Sequence, residues 1–478
     1  MEGSSLVSIP CSDTLRDKVA NAVNHVKKYS HPIILSYVFE IKEKDPLQIF
    51  SSFQSAYAGK RFYWATPDRT FILCGIGVEL ELTTDKKFSN RFFDIYSKWK
   101  DWKEHIQIEG AHPIGTGPLL FGGFSFDPLK NANSSKWKPF HEARFTLPSF
   151  MITKIGRHTL ATINRLIQST DDINEIINHF NTYEYTLKKK NEDTNSFLNF
   201  TIKKESLFHK KEWMAAVEKA TEQIKQNRFE KVVLAREMLL EFEGSIDIHY
   251  VLSMLNEHQP NCYLFVVENE GKTFVGATPE RLVSKRDQKV QSACVAGSIK
   301  RGKTVEADEE YAQMLLSDTK NIHEHQIVVK AIEKVFREYC QEVQLQNNPT
   351  ILKTPNIQHL YTPVEGTVKK GFTLIDFVEK LHPTPALGGY PKDAALAFIR
   401  NEEPLERGWY AAPVGWMDDQ DNGEFVVAIR SGLLDEQKAY LYAGCGIVGD
   451  SKPEEEYRET EIKFGPMQHA LGGKLNEK

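Results

Sequence analysis

A lysine opens one of the most apolar runs in the chain. In RFEKVVLAREMLLEF, Lys231 is followed directly by Val232, Val233, Leu234 and Ala235. Strand alternation puts Lys231, Val233 and Ala235 on one face, and Val232, Leu234 and Arg236 on the other. Two readings of the lysine compete. It is a strand-end residue whose stem lies on apolar surface while its ammonium reaches water, the commoner fate of lysine. Or it is desolvated until its neutral amine can take a proton, which makes it a general base. ATPERL, 277–282, poses a matching choice. A Thr-Pro pair ends one strand and Glu280 begins the next, either as an exposed turn glutamate or as a carboxyl kept protonated in a cleft to serve as a general acid.

Two helical stretches carry further carboxylates. In DTKNIHEHQIVVKAIEKVF, Glu324, Val328, Ala331 and Val335 recur at i, i+4, i+7 and i+11, which sets Glu324 on the apolar stripe. An isolated carboxylate there is costly and calls for a cation or a partner. His323 and His325 flank it but point elsewhere, and no H-x-x-x-H or cysteine companion gives zinc spacing. In GDSKPEEEYRETEIKF, Ser451 and Glu454 read as a capping box, and carboxylates in a first turn suit the helix dipole. That leaves Glu456, Glu459 and Lys463 at i, i+3 and i+7 on one face. Two carboxylates there, with Glu324, make a hard oxygen site suited to Mg²⁺. HPTPALGGYPK, 382–392, is a Pro- and Gly-rich loop that either allows close backbone approach to a ligand or simply turns the chain.

The elements that must position these residues are mixed. Before residue 181 the strand-like text is RFYWA (61–65), FILCGIGVELEL (71–82), PLLFGGFSFDP (118–128) and FMITKIGRHTLATI (150–163), interrupted by helical patterns such as FSNRFFDIYSKWKDW. The polar stretch 181–206 reads as a surface connection. An amphipathic helix follows, with Trp213, Val217, Ala220 and Ile224 on one face. Then come the Lys231 strand, CYLFVVE (262–268), TFVGATPERLVSK (273–285), a long helix at about 306–342, the strands EFVVAIRSGLL (424–434) and AYLYAGCGIVG (439–449), and a last helix from near Ser451. Several adjacent strands with little strict βαβ alternation favour an α+β fold with largely antiparallel sheets.

Bulk properties narrow the classes. The chain has 478 residues, 41% of them hydrophobic, and a net charge of −5. That length suits two or three domains or one large compound domain with an ample core. The slight acidity gives no reason to expect nucleic acid. No apolar run approaches the roughly 20 residues needed to span a bilayer, and the N-terminus lacks the pattern of a signal peptide. Six scattered cysteines without a C-x-x-C pair read as buried thiols, in keeping with a cytoplasmic protein.

Taken in order, KVVLAR, ATPERL, AGSIKRG, HEH, HPTPALGG, RGWYAAPVGW, VAIRS, AGCGIV and PEEEYRET resemble the chorismate-utilising enzymes. That family includes isochorismate synthases, salicylate synthases and the large subunits of anthranilate and aminodeoxychorismate synthases. The resemblance is strong over 207–465, reaches weakly to FGGFSFDP at 121–128, and finds little in residues 1–110. It implies a large two-sheet layered fold with helices outside, divided as an N-terminal lobe (1–200), a chorismate-binding catalytic region (207–465) and a tail (466–478). It implies Mg²⁺ held by Glu324 and Glu459 with Glu456 beside them, and Arg430 and Tyr410 gripping the enolpyruvyl carboxylate. Backbone at Gly444 and the ammonium of Lys463 would make further carboxylate contacts, with His359 close to the ring.

Family members that add water carry lysine at position 231, whereas those that add ammonia usually carry glutamine. The resemblance therefore implies Lys231 as base toward water and Glu280 as acid toward the departing C4 hydroxyl, giving isochorismate. Ala386 points the same way, since ammonia-using and salicylate-forming relatives typically have threonine there. Ser298 stands where relatives usually show threonine, with the hydroxyl kept. No glutamine-amidotransferase signature accompanies these motifs, so no such partner subunit is expected. The long N-terminal half suits the menaquinone branch. Salicylate synthase is the alternative activity, and a catalytically silent chorismate-binding module the alternative class.

Overall fold

Most of the apolar alternation goes into two large sheets. The computed structural model describes residues 13–87, 90–130, 136–188, 200–354 and 357–472. The larger sheet runs, edge to edge, Thr201–Leu207, Lys231–Glu243, Lys438–Ile447, Ser431–Asp435, Lys272–Thr278, Tyr263–Asn269, Arg61–Ala65, Phe71–Ile76, Phe150–Ile155, His158–Ile167, Ile33–Ile41 and Ile106–Glu109. The short strand Gly389–Tyr390 adds beside Lys231–Glu243. The smaller sheet runs Cys340–Leu345, Ile357–Val368, Lys289–Lys300, Arg281–Arg286, Gly423–Val427, Pro413–Asp418, Leu119–Phe124, Ala143–Leu147 and Leu80–Thr84. Pairing is antiparallel except between Ile33–Ile41 and Ile106–Glu109. This is the α+β, two-sheet architecture expected from the sequence.

The sheets face each other across an aromatic layer. Phe62 of the larger sheet stacks on Phe121 of the smaller at 4.3 Å, and Phe71 stacks on Trp416 at 5.3 Å. Helices cover the outer faces. Asp13–Tyr29, Ile173–Lys188 and Ile248–His258 pack on the far side of the larger sheet, around Phe50, Phe150 and Leu252. The helix Lys210–Lys225 buries Trp213, Val217 and Ala220 as its spacing predicts. Both sequence halves contribute to both sheets: Leu264 pairs with Ala65 in one, and Val414 with Gly123 in the other.

Several local expectations change. The runs 71–82 and 424–434 each read as one strand, but each is divided between the sheets, because apolar residues continue through the half-buried crossing from one to the other. The long helix is two, Val305–Ser317 and Thr319–Tyr339; Asp318 ends the first and caps the second by accepting from Asn321 N at 3.0 Å. Ser451 and Glu454 form no capping box. Pro453 takes the first helical position of Pro453–Ala470, so Lys452 becomes the cap and Ser451 Oγ accepts from Val448 N instead. That helix runs through the expected tail boundary because Phe464, Met467 and Ala470 are buried. The connection at 181–206 includes the exposed edge strand Thr201–Leu207. Cys74, Cys262, Cys294, Cys340 and Cys445 are free and buried, while Cys11 lies outside the described residues. Among the described residues no helix is long and apolar enough to cross a membrane.

Candidate active site

The site forms where the chain changes sheets. Glu280 lies on the crossing from Lys272–Thr278 to Arg281–Arg286, and Arg430 on the return from Gly423–Val427 to Ser431–Asp435. The two crossings are bonded to each other. Ala277 N donates to Arg430 O at 3.1 Å, and Val427 N donates to Glu280 O at 3.0 Å. Arg430 adopts φ 51°, which turns its side chain out of the strand path. Burial pushes the Glu280 carboxyl up to about 7, against the opposing pull of Lys231 and Arg430.

Lys231 approaches from the neighbouring strand. Its side chain is only 3% exposed and forms an ion pair with Glu324 of helix Thr319–Tyr339. Gly446, on the adjacent strand, makes room for it: a Cβ there would stand 2.7 Å from Lys231 Cε and 3.2 Å from Nζ. On the other side the HPTPALGG loop ends at Gly389, with φ 125°, where a Cβ would meet Lys231 O at 2.3 Å.

His359 sits opposite Ser298, where strand Lys289–Lys300 bulges between Val295 and Ser298 around Gly297. Burial, with Arg430 and Lys463 adding to it, pulls the His359 ring down to about 3, so the ring is neutral near pH 7. Tyr410 is buried, its hydroxyl pushed up by desolvation, and its ring stacks on Tyr442 at 5.2 Å. Lys463 Nζ donates to Gly444 O at 3.0 Å and pairs with Glu459 at 2.6 Å. Glu456 is pushed up mainly by burial, opposed by a hydrogen bond from Ser451 and reinforced by the charge of Glu459.

These groups line one cavity of about 310 Å³. Lys231, Glu280, Glu324, His359, Ala386, Tyr410, Arg430, Gly444, Glu456, Glu459 and Lys463 all face it. A model of the family described as chorismate binding enzyme matches residues 20–472. The chain belongs to that family. It is 43% identical over 467 residues to isochorismate synthase MenF of Bacillus subtilis, covering 96% of this chain and 98% of the relative. It is 33% identical to the salicylate biosynthesis isochorismate synthase of Pseudomonas aeruginosa, over 98% of this chain and 96% of that one. The solved structure of MenF, the menaquinone-specific isochorismate synthase of Escherichia coli, superposes with a TM-score of 0.77 at 24% identity, covering 96% of this chain and all of the other, a likeness of fold.

Among chorismate-binding enzymes the question is what this donor set can hold. Glu324, Glu456 and Glu459 offer hard carboxylate oxygens, the donor type Mg²⁺ takes. Glu456 is pushed up first by burial and further by the negative charge of Glu459, a charge that a divalent cation would relieve. Among the described residues no three such side chains stand close enough to form a ready cage. Glu324 is tied to Lys231, and Glu459 to Lys463. The donor chemistry fits the ion, with two lysines as the present counter-charges.

Sequence reasoning missed part of the site. Lys320 and Asn321 also face the cavity, one helical turn before Glu324, a spacing that the Glu324 pattern already contained. Arg407 faces it from the RGW segment. The spacing predicts a stripe of Glu324, Val328, Ala331 and Val335 with His325 off it, yet the buried stripe is His325, Val328, Ile332, Phe336 and Tyr339, and Glu324, Ala331 and Val335 are only half-buried beside it. A histidine reads as polar, but its partners are internal: Nδ1 donates to Ala296 O at 3.0 Å, and Nε2 meets Thr362 Oγ1 at 2.8 Å.

Proposed function

We propose that this chain is an isochorismate synthase of menaquinone biosynthesis, converting chorismate to isochorismate. The observation that carries the reading is Lys231 and Glu280 facing one cavity in a chain that matches an isochorismate synthase along nearly its whole length. Burial favours the protonated form of Glu280, as an acid at C4 requires. Lys231 takes a proton from the water that attacks C2. The ring double bonds shift to carry the electron pair from C2 to C4, and Glu280 gives its proton to the departing C4 hydroxyl, which leaves as water. For Lys231 to act as base its ion pair with Glu324 has to open.

Tyr410 and Arg430 hold the enolpyruvyl carboxylate, while Gly444 and Lys463 contact the second carboxylate and neutral His359 lies against the ring. Glu324, Glu456 and Glu459 would hold Mg²⁺, which when bound supplies Lewis-acid polarisation of the ring carboxylate. The reading places the enzyme in the cytoplasm and needs no amidotransferase subunit, because water is the nucleophile.

The test is to incubate the protein with chorismate and Mg²⁺ and separate the products by chromatography. Isochorismate alone is the expected result. Salicylate with pyruvate would make the chain a salicylate synthase, and bound chorismate without product would make it a silent module.

A further inference from the structure

The outer edge of the Lys231 strand is incomplete. On its inner side, Val232 to Glu241 pair with Lys438–Ile447. On its outer side, Thr201–Leu207 covers Met238–Glu243 and Gly389–Tyr390 covers Lys231 and Val232. Among the described residues no strand fills the interval between them. Three of its backbone groups are nevertheless bonded. Val233 N donates to Gly388 O at 3.1 Å. Arg407 Nη2 donates to Val233 O at 2.7 Å, and Ala235 N donates to Glu403 Oε2 at 2.7 Å.

Glu403 and Arg407 are also paired to each other. Nε meets Oε1 at 2.8 Å and Nη2 meets Oε2 at 2.6 Å, with the side chains 0% and 2% exposed. Arg407 Nη1 reaches on to Leu387 O at 3.1 Å, next to Ala386, and the guanidinium lies 4.1 Å over the Phe126 ring. One buried ion pair thus stands in for a missing stretch of strand and ties it to the loop that carries Ala386.

A buried ion pair is a poor way to gain stability, since apolar residues of similar volume often do as well. Apolar side chains could not bond Val233 O, Ala235 N and Leu387 O, and would leave these groups unpaired. What the pair supplies is a fixed geometry. We infer that Glu403 and Arg407 are positioning residues for the reaction, holding the strand that carries Lys231, at Val233 and Ala235, and the Ala386 loop, at Leu387, at one separation beside the cavity. This rests on the proposed activity, with Lys231 as base.

The test uses the full chain carrying Glu403→Gln or Arg407→Lys. The glutamine sets an amide N–H against one of the donors that faced the carboxylate; the lysine loses the fork. Both variants are expected still to unfold in one cooperative step, at a lower temperature because a buried pair is weakened, and, where they are folded, to lose kcat by about tenfold or more, as misplacing a catalytic group does. KM for chorismate should stay within about twofold, because Tyr410 and Arg430 bind from other elements. Hydrogen exchange should rise in 231–237 while 438–447 stays protected. Folded variants with unchanged kcat would overturn the inference. So would variants that both unfold, or that lose kcat and protection everywhere, since the pair would then hold the fold and not the base. If the unmutated chain makes no isochorismate, the proposed function falls and the inference falls with it.

Discussion

Glu280 and His359 share a cavity, and the same burial moves them in opposite directions, one up to about 7 and the other down to about 3. Desolvation disfavours charge, so each is shifted toward its neutral form. For Glu280 the folded value exceeds the unfolded one of about 4.5, and between the two the folded chain binds the extra proton. Stability linked to this group therefore falls as pH rises from about 4.5 to about 7, and above that range the penalty is complete. Activity should follow the protonated acid: kcat/KM should decline as pH passes through about 7. Glu280→Gln should abolish turnover and remove that share of the stability decline, measurable as urea midpoints across the same range. Lys231→Ala should lower turnover by at least about a hundredfold yet leave chorismate binding measurable by calorimetry, because Tyr410 and Arg430 remain. Near-normal turnover in that variant would remove Lys231 from the base role.

Two glycines set how the elements meet at Lys231, and they should fail differently. At Gly446 an added Cβ meets the far end of a flexible side chain, Lys231 Cε at 2.7 Å. Gly446→Ala should therefore cost under about 1 kcal/mol of stability while displacing the amine, so kcat falls in a normally folded protein. At Gly389 the Cβ meets backbone, Lys231 O at 2.3 Å, at φ 125°. Gly389→Ala should destabilise by about 3 kcal/mol or more, seen in thermal and urea unfolding. The residues converging here were legible mainly through the family motifs, because strand alternation and helical spacing alone left Lys231 and Glu280 open between two readings and set Glu324 on a stripe with Ala331 and Val335 that the helix does not bury. Sheet identity was not. Phe71–Ile76 and Leu80–Thr84 read as one strand because apolar text continues through the crossing, and periodicity has no term for which sheet a strand joins. His325 was lost for a related reason: burial of a polar ring depends on distant partners, Ala296 and Thr362. The Glu403–Arg407 pair was invisible because its partners are backbone groups of other elements.

Each sheet is assembled from both halves of the chain, and this decides how the molecule should unfold. Strand Arg61–Ala65 lies between Phe71–Ile76 and Tyr263–Asn269, and Leu119–Phe124 lies between Ala143–Leu147 and Pro413–Asp418. A buried ion pair crosses the same seam: Arg61 meets Glu268 at 2.6 Å, with side chains 1% and 3% exposed. Cutting the chain near residue 200 would expose long unpaired strand edges and strand Glu268 without its cation. The two pieces, 1–200 and 201–478, should each lack a cooperative transition when produced alone, while the intact chain melts in one calorimetric step with activity lost in the same step. Arg61→Met tests the seam at a single point. It removes the cation from a buried carboxylate and should cost about 3–5 kcal/mol, lowering the one transition as a whole. A variant that instead split the transition in two, or a C-terminal piece that melted cooperatively by itself, would mean that the cavity's walls can form without the N-terminal half, and that the sheets are less continuous than their pairing requires.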